Sequence, residues 1–239
     1  MAKQTQRLDK YLSATTDLTR SLAKKALHRG EVRVNDQVVK NPGLQITGSD
    51  QVQWQEQLLE LQAKRYLMLH KPVGYECTQR SAHHPLASDL IEVANKESLQ
   101  TVGRLDVATS GLLFLTDDGQ WLHKMTSPRQ AKAKVYLADL AEPLMAEAEQ
   151  LLAQGLLLQG EVKPTQPAVL ERLTRQQVRI TVTEGRYHLV RRIFAALGNH
   201  VVHLHREAVA GLWLDSQLLP EGQWRYLSKQ EVDALATNQ

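Results

Sequence analysis

The apolar residues of this 239-residue chain occur in short runs separated by glycine, proline and polar residues. One of the longest runs, Gly-Leu-Leu-Phe-Leu at residues 111–115, is far shorter than the roughly 20 apolar residues that a membrane-spanning helix requires. Apolar residues still make up 42% of the chain and charged residues 23%, which is ordinary for a folded globular protein. We therefore expect a folded chain without a membrane partner.

The expected strands and helices are interspersed without regular βαβ alternation, which favours an α+β architecture over a doubly wound sheet. The length suits one large domain or two unequal ones, since a typical domain has about 100–150 residues. We expect a small module over residues 1–60 and a larger body over residues 61–239. The linker between them is expected at about residues 55–64, although Leu58, Leu59 and Leu61 could pack on either side.

In the N-terminal module, the spacing of Leu8, Tyr11 and Leu12 predicts a helix over residues 7–14. Thr19 and Gly30 are placed to cap the two ends of a second helix. The further elements are strands at residues 32–34, 38–39 and 50–54 in the module; strands at residues 65–69, 112–116, 135–140, 178–183 and 201–204 in the body; helices at residues 143–154 and 187–197; and a last helix that begins with a capping box of Ser228 and Glu231.

The net charge of +3 conceals an uneven distribution. Residues 1–41 contain nine Lys or Arg and four Asp or Glu, so this segment carries +5. The remaining residues contain 20 basic and 22 acidic side chains and carry −2. A basic N-terminal segment on a nearly neutral body is the asymmetry that a functional interpretation must explain.

The most informative segment is residues 101–119, TVGRLDVATSGLLFLTDDG. Asp106 lies in a short polar stretch between two apolar runs, so strands could brace its carboxylate rigidly toward a substrate. On spacing alone, an Asx turn with a local ion pair to Arg104 explains the same residues.

Two further segments carry polar side chains suited to chemistry. Residues 184–194, EGRYHLVRRIF, concentrate positive charge where a strand is expected to turn into a helix, and Arg191 could hold a carboxylate ionised. Tyr136, in the strand-like Lys134-Val135-Tyr136, could stack on a planar base and offer a hydroxyl for proton transfer. A solvated basic helix face and ordinary core packing are the simpler explanations.

Together these segments resemble the Rsu-type ribosomal RNA pseudouridine synthases over nearly the whole chain. The segments that carry the resemblance occur in the family's order: Lys71-Pro72-Val73-Gly74, Gly103-Arg104-Leu105-Asp106 with Thr109-Ser110-Gly111-Leu112, Lys134-Val135-Tyr136, and Glu184-Gly185-Arg186-Tyr187-His188 with Arg191-Arg192. The N-terminal module resembles the S-four-type RNA-binding module, through Arg7-Leu8-Asp9-Lys10-Tyr11-Leu12, Arg20, Ala23, Arg29-Gly30 and Val32, Val34 and Asn35.

The resemblance implies an α+β protein in which a small S-four-like RNA-binding module precedes a catalytic domain. That domain is expected to contain a mixed, mostly antiparallel β-sheet flanked by helices. The implied activity is isomerisation of a specific uridine in ribosomal RNA to pseudouridine, without a cofactor. Length and module order most resemble members that modify uridine 516 of 16S rRNA, and members acting on 23S rRNA are the near alternative.

The resemblance also implies roles for individual residues. Asp106 would be the nucleophile, Tyr136 would stack on the target base and take part in proton removal, and Arg191 would pair with Asp106. Val190 would lie beside the base, and Arg104 would occupy the space that the extruded nucleotide leaves. Further substrate-binding residues are expected to be Lys71, Arg186 and His188. Leu189 stands where the family commonly has Gln.

The basic N-terminal segment would bind the RNA backbone. Lys24, Lys25, Arg29 and Arg33 are the first candidates, followed by Arg7 and Arg20. A solvated basic face is the simpler explanation for any one of them. The expected partner is 16S rRNA in an assembling small subunit, and we expect a monomer.

Two other classes of function remain open on the residues alone. A non-catalytic RNA-binding or ribosome-assembly protein would explain the basic segment without the Asp106 set. A metal hydrolase could use His200, His203 and His205 with Asp215, although His203 and His205 more simply mark one side of a strand, so we expect no metal.

Localisation is expected to be cytoplasmic. The single cysteine, Cys77, excludes an internal disulfide and a cysteine-based zinc site, and a free thiol fits a reducing compartment. The residues MAKQTQRLDKYL also lack the apolar core of a signal peptide.

Overall fold

The computed structural model describes residues 5–59, 63–81 and 83–237. The chain divides into two compact units, Met1–Ala63 and Lys64–Gln239, which we call the N-terminal unit and the body. No helix within the described ranges is long and apolar enough to cross a membrane.

The N-terminal unit packs two helices and short strands around one apolar core, which includes Leu8, Leu12, Leu27 and Val32. Its sheets are a four-stranded one in the order β3-β2-β5-β6 and the two-stranded β1-β4. The elements are β1 (Gln6–Arg7), α1 (Leu8–Thr15), α2 (Arg20–Arg29), β2 (Val32–Val34), β3 (Gln37–Val38), β4 (Gln45–Ile46), β5 (Val52–Trp54) and β6 (Gln57–Leu59).

Local signals placed both ends of α2 correctly, whereas α1 lies one residue later than predicted. The Thr19 hydroxyl accepts a hydrogen bond from the Leu22 amide at 3.3 Å, as an N-cap does. Gly30 adopts a left-handed conformation with φ of 76°, and its amide bonds to the last helical carbonyls. Both predicted caps of α2 are confirmed.

The prediction of a linker over residues 55–64 is wrong for its first residues, because residues 57–59 form a strand. Gln55 and Glu56, with φ of 51° and 67°, make a tight turn, and β6 pairs antiparallel with β5. Two positive φ values suit the two-residue hairpin loops that match strand twist, so the chain reverses here. The hairpin was not predicted, because Gln and Glu are not typical turn residues. Residues 60–62 of the expected linker lie outside the described residues.

The body is built on a nine-stranded sheet whose main path runs β11-β12-β10-β13-β9-β7-β15, with β14 beside β13 and β8 beside β9. Its strands are β7 (Tyr66–Lys71), β8 (Gln100–Thr101), β9 (Thr109–Thr116), β10 (Lys134–Leu140), β11 (Val169–Arg172), β12 (Gln177–Val182), β13 (Val201–Val209), β14 (Leu212–Trp213) and β15 (Trp224–Tyr226). Its α-helices are α3 (Gly119–Thr126), α4 (Ala148–Gln154), α5 (Leu189–Ala196) and α6 (Lys229–Ala236), and short 3-10 helices lie at Ala87–Leu90, Lys96–Ser98 and Pro128–Gln130.

The predicted α+β class with a mixed, mostly antiparallel sheet is confirmed. Helices α4 and α5 pack with β10, β12 and β13 around one apolar core, and α3 and α6 pack with β7 and β9 around another. Every strand pair in the main path is antiparallel except β9 with β13. The predicted capping box of Ser228 and Glu231 is also present at the start of α6.

The predicted helix at residues 143–154 begins later, at Ala148. The guanidinium of Arg172 donates hydrogen bonds to the carbonyls of Leu144 and Met145, at 2.9 and 2.6 Å. A distant side chain therefore satisfies carbonyls that a helix would have bonded internally. Helix α3 was not predicted, although the Asp118 carboxylate caps it by accepting from the Gln120 and Trp121 amides.

Strands β9 and β13 approach each other closely at Gly111. A Cβ atom at Gly111 would lie 2.3 Å from the carbonyl oxygen of Arg206 and 2.5 Å from its nitrogen. The φ of Gly111 is 113°, a conformation that side chains disfavour. Glycine is thus required for the contact between the two strands.

We expect Gly111→Ala to lower the free energy of unfolding by about 2 kcal/mol or more, because a strained φ alone costs about 1–3 kcal/mol and the backbone clash adds to it. Gly119→Ala is the matched control, since a Cβ there meets no atom within 4 Å and the position is helical. Its stability should be unchanged or slightly higher. Denaturant unfolding measures both, and equal midpoints for the two variants would refute the requirement.

Candidate active site

A cavity of about 730 Å³ opens in the body at the junction of β9, β10 and β13. The loop before β9, strands β10 and β13, and the residues that enter α5 line it. Asp106, Tyr136, His188 and Val190 all face this cavity. Segments 30 to 80 residues apart in the sequence therefore meet at one site.

Asp106 lies in the loop between β8 and β9, and this loop is fastened at several points. The amide of Val102 donates to the Phe114 carbonyl at 2.8 Å, and the amide of Thr109 donates to the Asp106 carbonyl at 3.0 Å. Leu105 is buried, whereas the Asp106 side chain is 28% exposed. The loop therefore presents a partly solvated carboxylate from a fixed backbone.

His188, rather than Arg191, contacts the Asp106 carboxylate. His188 Nε2 lies 3.4 Å from Asp106 Oδ1. The His188 backbone has a φ of 50° just before α5, and its ring stacks on that of Tyr187 with centroids 3.7 Å apart. Stacking and an unusual backbone conformation together aim the imidazole at the carboxylate.

Arg191 supports the loop through its backbone. Its guanidinium donates to the carbonyls of Ala108 at 3.0 Å and of Val201 at 2.9 Å. Within the described ranges, Arg191 makes no ion pair with Asp106, and it is absent from the cavity lining. It ties the carbonyl two residues after Asp106 to the start of β13.

Tyr136 projects from the middle of β10. Its half-buried side chain packs against the apolar clusters on both sides of this part of the sheet. The Arg206 guanidinium lies 6.0 Å from the centroid of its ring. The ring is therefore held in place while facing the cavity, as a stacking surface for a planar base must be.

Comparisons with known proteins agree with this arrangement. The family model described as RNA pseudouridylate synthase matches residues 65–196, and the S4 domain model matches residues 6–52. The chain belongs to the RNA pseudouridylate synthase family.

Similar curated proteins include the ribosomal small subunit pseudouridine synthase A of Pasteurella multocida, which is 44% identical over 95% of this chain and 97% of that protein. The Escherichia coli K12 protein of the same name is 40% identical over 95% of this chain and 98% of its own length. A solved structure described as a pseudouridylate synthase has a TM-score of 0.70 at 42% identity, and covers 96% of this chain and 99% of that one.

The other predicted substrate-binding residues of this pseudouridine synthase fall into two groups. Arg104, Arg186 and Val190 line the cavity. Lys71 does not, since it is fully buried and its ammonium donates to the carbonyls of Pro72 and Tyr75 at 2.8 and 2.9 Å. Lys71 therefore stabilises the Lys-Pro-Val-Gly turn, and burial lowers its pKa.

Arg186 is positioned by its own neighbours. Its guanidinium donates to Glu184 at 2.9 Å and to the carbonyls of Lys163 and Pro164 at 2.9 and 2.6 Å. Leu189, at the position where the resemblance implied Gln, is buried and lines the cavity. It offers an apolar surface there in place of an amide.

Arg206 and the ammonium of Lys134 were missed as site residues. Both line the cavity, and Arg206 is only 3% exposed. Lys134 precedes Tyr136 by two residues, so both side chains project from the same face of β10. Arg206 continues the buried alternation of Leu204 and Ala208. The signal in the sequence was a cation at a position that alternates with buried apolar residues. It was missed because β13 was expected to end at residue 204.

The hydrolase alternative finds no support in geometry. No group of three or more His, Cys, Asp or Glu in the described ranges is placed to hold a metal ion. His203 and His205 lie on β13, and His205 Nδ1 is 2.9 Å from the Ser110 hydroxyl.

Among the predicted RNA-binding residues of the N-terminal unit, several already have partners. Arg7 and Arg20 contact the buried carboxylate of Asp9, at 3.0 and 3.5 Å. Arg29 contacts Glu31 at 3.4 Å, and Arg33 donates to the carbonyl of Asp36 at 3.1 Å.

Lys24 and Lys25 differ from these arginines. They are exposed and make no hydrogen bond or ion pair with the described residues. Their charges are therefore the least compensated of the six candidates.

The Asp9 ion pair predicts a pH-dependent stability. The hydrogen bond from Arg7 lowers the pKa of Asp9 from 3.8 to about 2. Because the folded pKa is depressed, the stabilisation is complete above the unfolded value and is lost as pH falls through about 4 toward 2. Asp9→Asn should cost about 2 kcal/mol at pH 7, given about 1.4 kcal/mol per pKa unit, and the deficit should shrink in acid.

Hydrogen exchange of the α1 and α2 amides in the full chain, between pH 2 and 7, measures this stability. Asp17→Asn is the control, because Asp17 is exposed. A pH profile of Asp9→Asn that runs parallel to the wild-type profile would contradict the role of the ion pair.

Proposed function

We propose that this enzyme converts a uridine of small-subunit ribosomal RNA to pseudouridine, and that the target is uridine 516 of 16S rRNA. The observation that carries the chemistry is the Asp106 carboxylate, presented by a fastened loop into a cavity beside Tyr136. The relatives of 40–44% identity are named for the small subunit, and the matches cover 95% of this chain and 97–98% of theirs.

The isomerisation breaks the N1–C1′ glycosidic bond, turns the uracil, and joins C5 to C1′. A carboxylate suits this reaction, because it can form a covalent bond and later leave without redox change. We propose Asp106 as this nucleophile, with attack at the sugar C1′ or at C6 of the base as the two routes. In this proposal Tyr136 stacks on the base, and its hydroxyl takes part in removal of the C5 proton.

His188 is the side chain that contacts the proposed nucleophile. The imidazole lies 3.4 Å from one carboxylate oxygen, which orients the carboxylate and leaves its other oxygen to face the substrate. We assign this orienting role to His188, and to Arg191 the support of the loop through Ala108.

A uridine within folded RNA must leave its stack to reach the cavity, which costs a few kcal/mol. Contacts remote from the reacting atoms supply this free energy. In our proposal, the N-terminal unit binds phosphates with Lys24 and Lys25 as its principal cations. The enzyme acts as a cytoplasmic monomer on 16S rRNA in the assembling subunit.

We expect Asp106→Asn to lower pseudouridine formation by at least about 10³-fold, because loss of a nucleophile removes the covalent route. RNA affinity should be retained, since the amide has nearly the same shape. Asp139→Asn is the control, as this carboxylate lies on β10 and outside the cavity lining. Pseudouridine mapping of small- and large-subunit RNA with each variant measures the activity and its target.

Turnover by Asp106→Asn at the wild-type rate would refute the nucleophile. Modification of a large-subunit uridine instead of a 16S uridine would refute the target but not the activity.

We expect Lys24→Gln combined with Lys25→Gln to weaken RNA binding at low salt, and to reduce the slope of log K against log salt by about 2, because each phosphate contact contributes about one. Lys96→Gln with Lys229→Gln removes the same charge from the body and is the control. An unchanged slope in the first double variant would exclude these lysines as phosphate contacts.

A further inference from the structure

Arg206 and Lys134 are among the cations that line the cavity without a carboxylate partner. Arg206 Nε donates to the Leu112 carbonyl at 2.8 Å, and Lys134 Nζ donates to the Lys132 carbonyl at 3.0 Å. Within the described ranges, neither residue forms an ion pair with an acidic side chain. The nearby Glu184 is already bonded to Arg186 and to the Gln166 amide, each at 2.9 Å.

This arrangement is unfavourable for folding. Burial of a charge without a paired countercharge costs free energy, and burial lowers the pKa of Lys134 to about 8. The hydroxyl of Thr109, which lines the same cavity, is buried and has no hydrogen-bond partner among the described residues. Lys134, Arg206 and Thr109 therefore line one cavity with hydrogen-bond donors, which acceptor atoms of a ligand would satisfy.

The position of Arg206 decides which acceptors fit. A phosphate of an RNA strand carries chain on both sides, so it does not fit against a residue that is only 3% exposed. A flipped base ends in free edges and can enter. Arg206 also lies 6.0 Å from the centroid of the Tyr136 ring, the surface on which the base would stack.

The hydrogen-bonding capacity of the two cations determines which atoms of the base they can bind. Lys and Arg are donors only, so they pair with the carbonyl oxygens O2 and O4 of uracil. The 4-amino group of cytosine would instead place a donor against these cations and leave buried polar groups unpaired.

We propose that Lys134 and Arg206 bind the carbonyl oxygens of the flipped uracil and stabilise the negative charge that develops on the ring during isomerisation. This inference rests on the proposed function, to which it adds the groups that recognise the base and lower the barrier.

The stabilised charge arises in both routes. If the Asp106 carboxylate attacks C1′, a C1′–O bond forms, the C1′–N1 bond breaks, and its electron pair spreads from N1 over O2 and O4. If the carboxylate attacks C6, an O–C6 bond forms, the C5–C6 π pair moves to C5–C4, and the C4 carbonyl π pair moves to O4. Fixed cations next to these oxygens stabilise either anion without reorganisation.

The test compares Lys134→Met with Lys229→Met, which removes an exposed lysine at the start of α6. We expect the single-turnover rate of Lys134→Met on target RNA to fall by about 10²–10³-fold, the typical cost of losing one preorganised donor. Its melting temperature should be unchanged or higher, because a buried charge is removed. A merely structural lysine would instead lower the melting temperature.

RNA that carries an abasic nucleotide at the target position separates the ring from the phosphate. Lys134→Met should bind this RNA as tightly as the wild type does. Weaker binding to the abasic RNA would show that Lys134 contacts the backbone, and would overturn the inference. If Lys134→Met does not fold, Lys134→Gln, which is polar but uncharged, repeats the comparison.

The wild-type control separates failure of the proposed function from failure of this inference. Absence of pseudouridine with the wild-type enzyme would refute the proposed function. Wild-type activity together with an undiminished rate for Lys134→Met would refute this inference alone.

Discussion

The close parallel contact between β9 and β13 is the constraint on which the site depends. Gly111 lies against the backbone of Arg206, and no other residue could occupy that position without displacing one strand. The contact joins the antiparallel strands β11, β12, β10 and β13 to β9, β7 and β15. It also brings the loop that carries Asp106 beside β10, which neighbours β13 and carries Tyr136. The glycine at position 111 thus helps to determine where Asp106 lies relative to Tyr136.

The cations around this contact fall into two groups: some bind main-chain carbonyls and hold the backbone, and others line the cavity. Lys71 and Arg191 direct their charges at main-chain carbonyls, so they fix the turn after β7 and the loop after Asp106. Lys134 and Arg206 make one carbonyl bond each and keep their remaining donors near the cavity. Side chains of the same charge thus stabilise the scaffold in one place and reduce its stability in the other.

The sequence was informative where structure is decided locally. The caps Thr19, Gly30 and Ser228 depend on neighbouring residues, and all three were predicted. It was uninformative where a distant partner decides. Arg172 delays α4 by binding carbonyls near residue 144, and the pairing of β13 extends that strand to Val209 and so buries Arg206. The contact between His188 and Asp106 was missed for the same reason, because it depends on the left-handed backbone at His188 and on the stacked Tyr187.

Net charge is therefore a poor guide to this protein, because its cations differ in burial and in the groups that they contact. Arg7 and Arg20 offset the buried Asp9, so part of the +5 of the N-terminal segment stabilises the fold. Lys24 and Lys25 are exposed and unpaired with described residues, which suits a long-range attraction that salt can screen. Arg206 is buried and Lys134 is partly buried, so salt screens them less than the exposed lysines. A salt series should consequently alter RNA binding much more than the chemical step, since the exposed lysines are screened most.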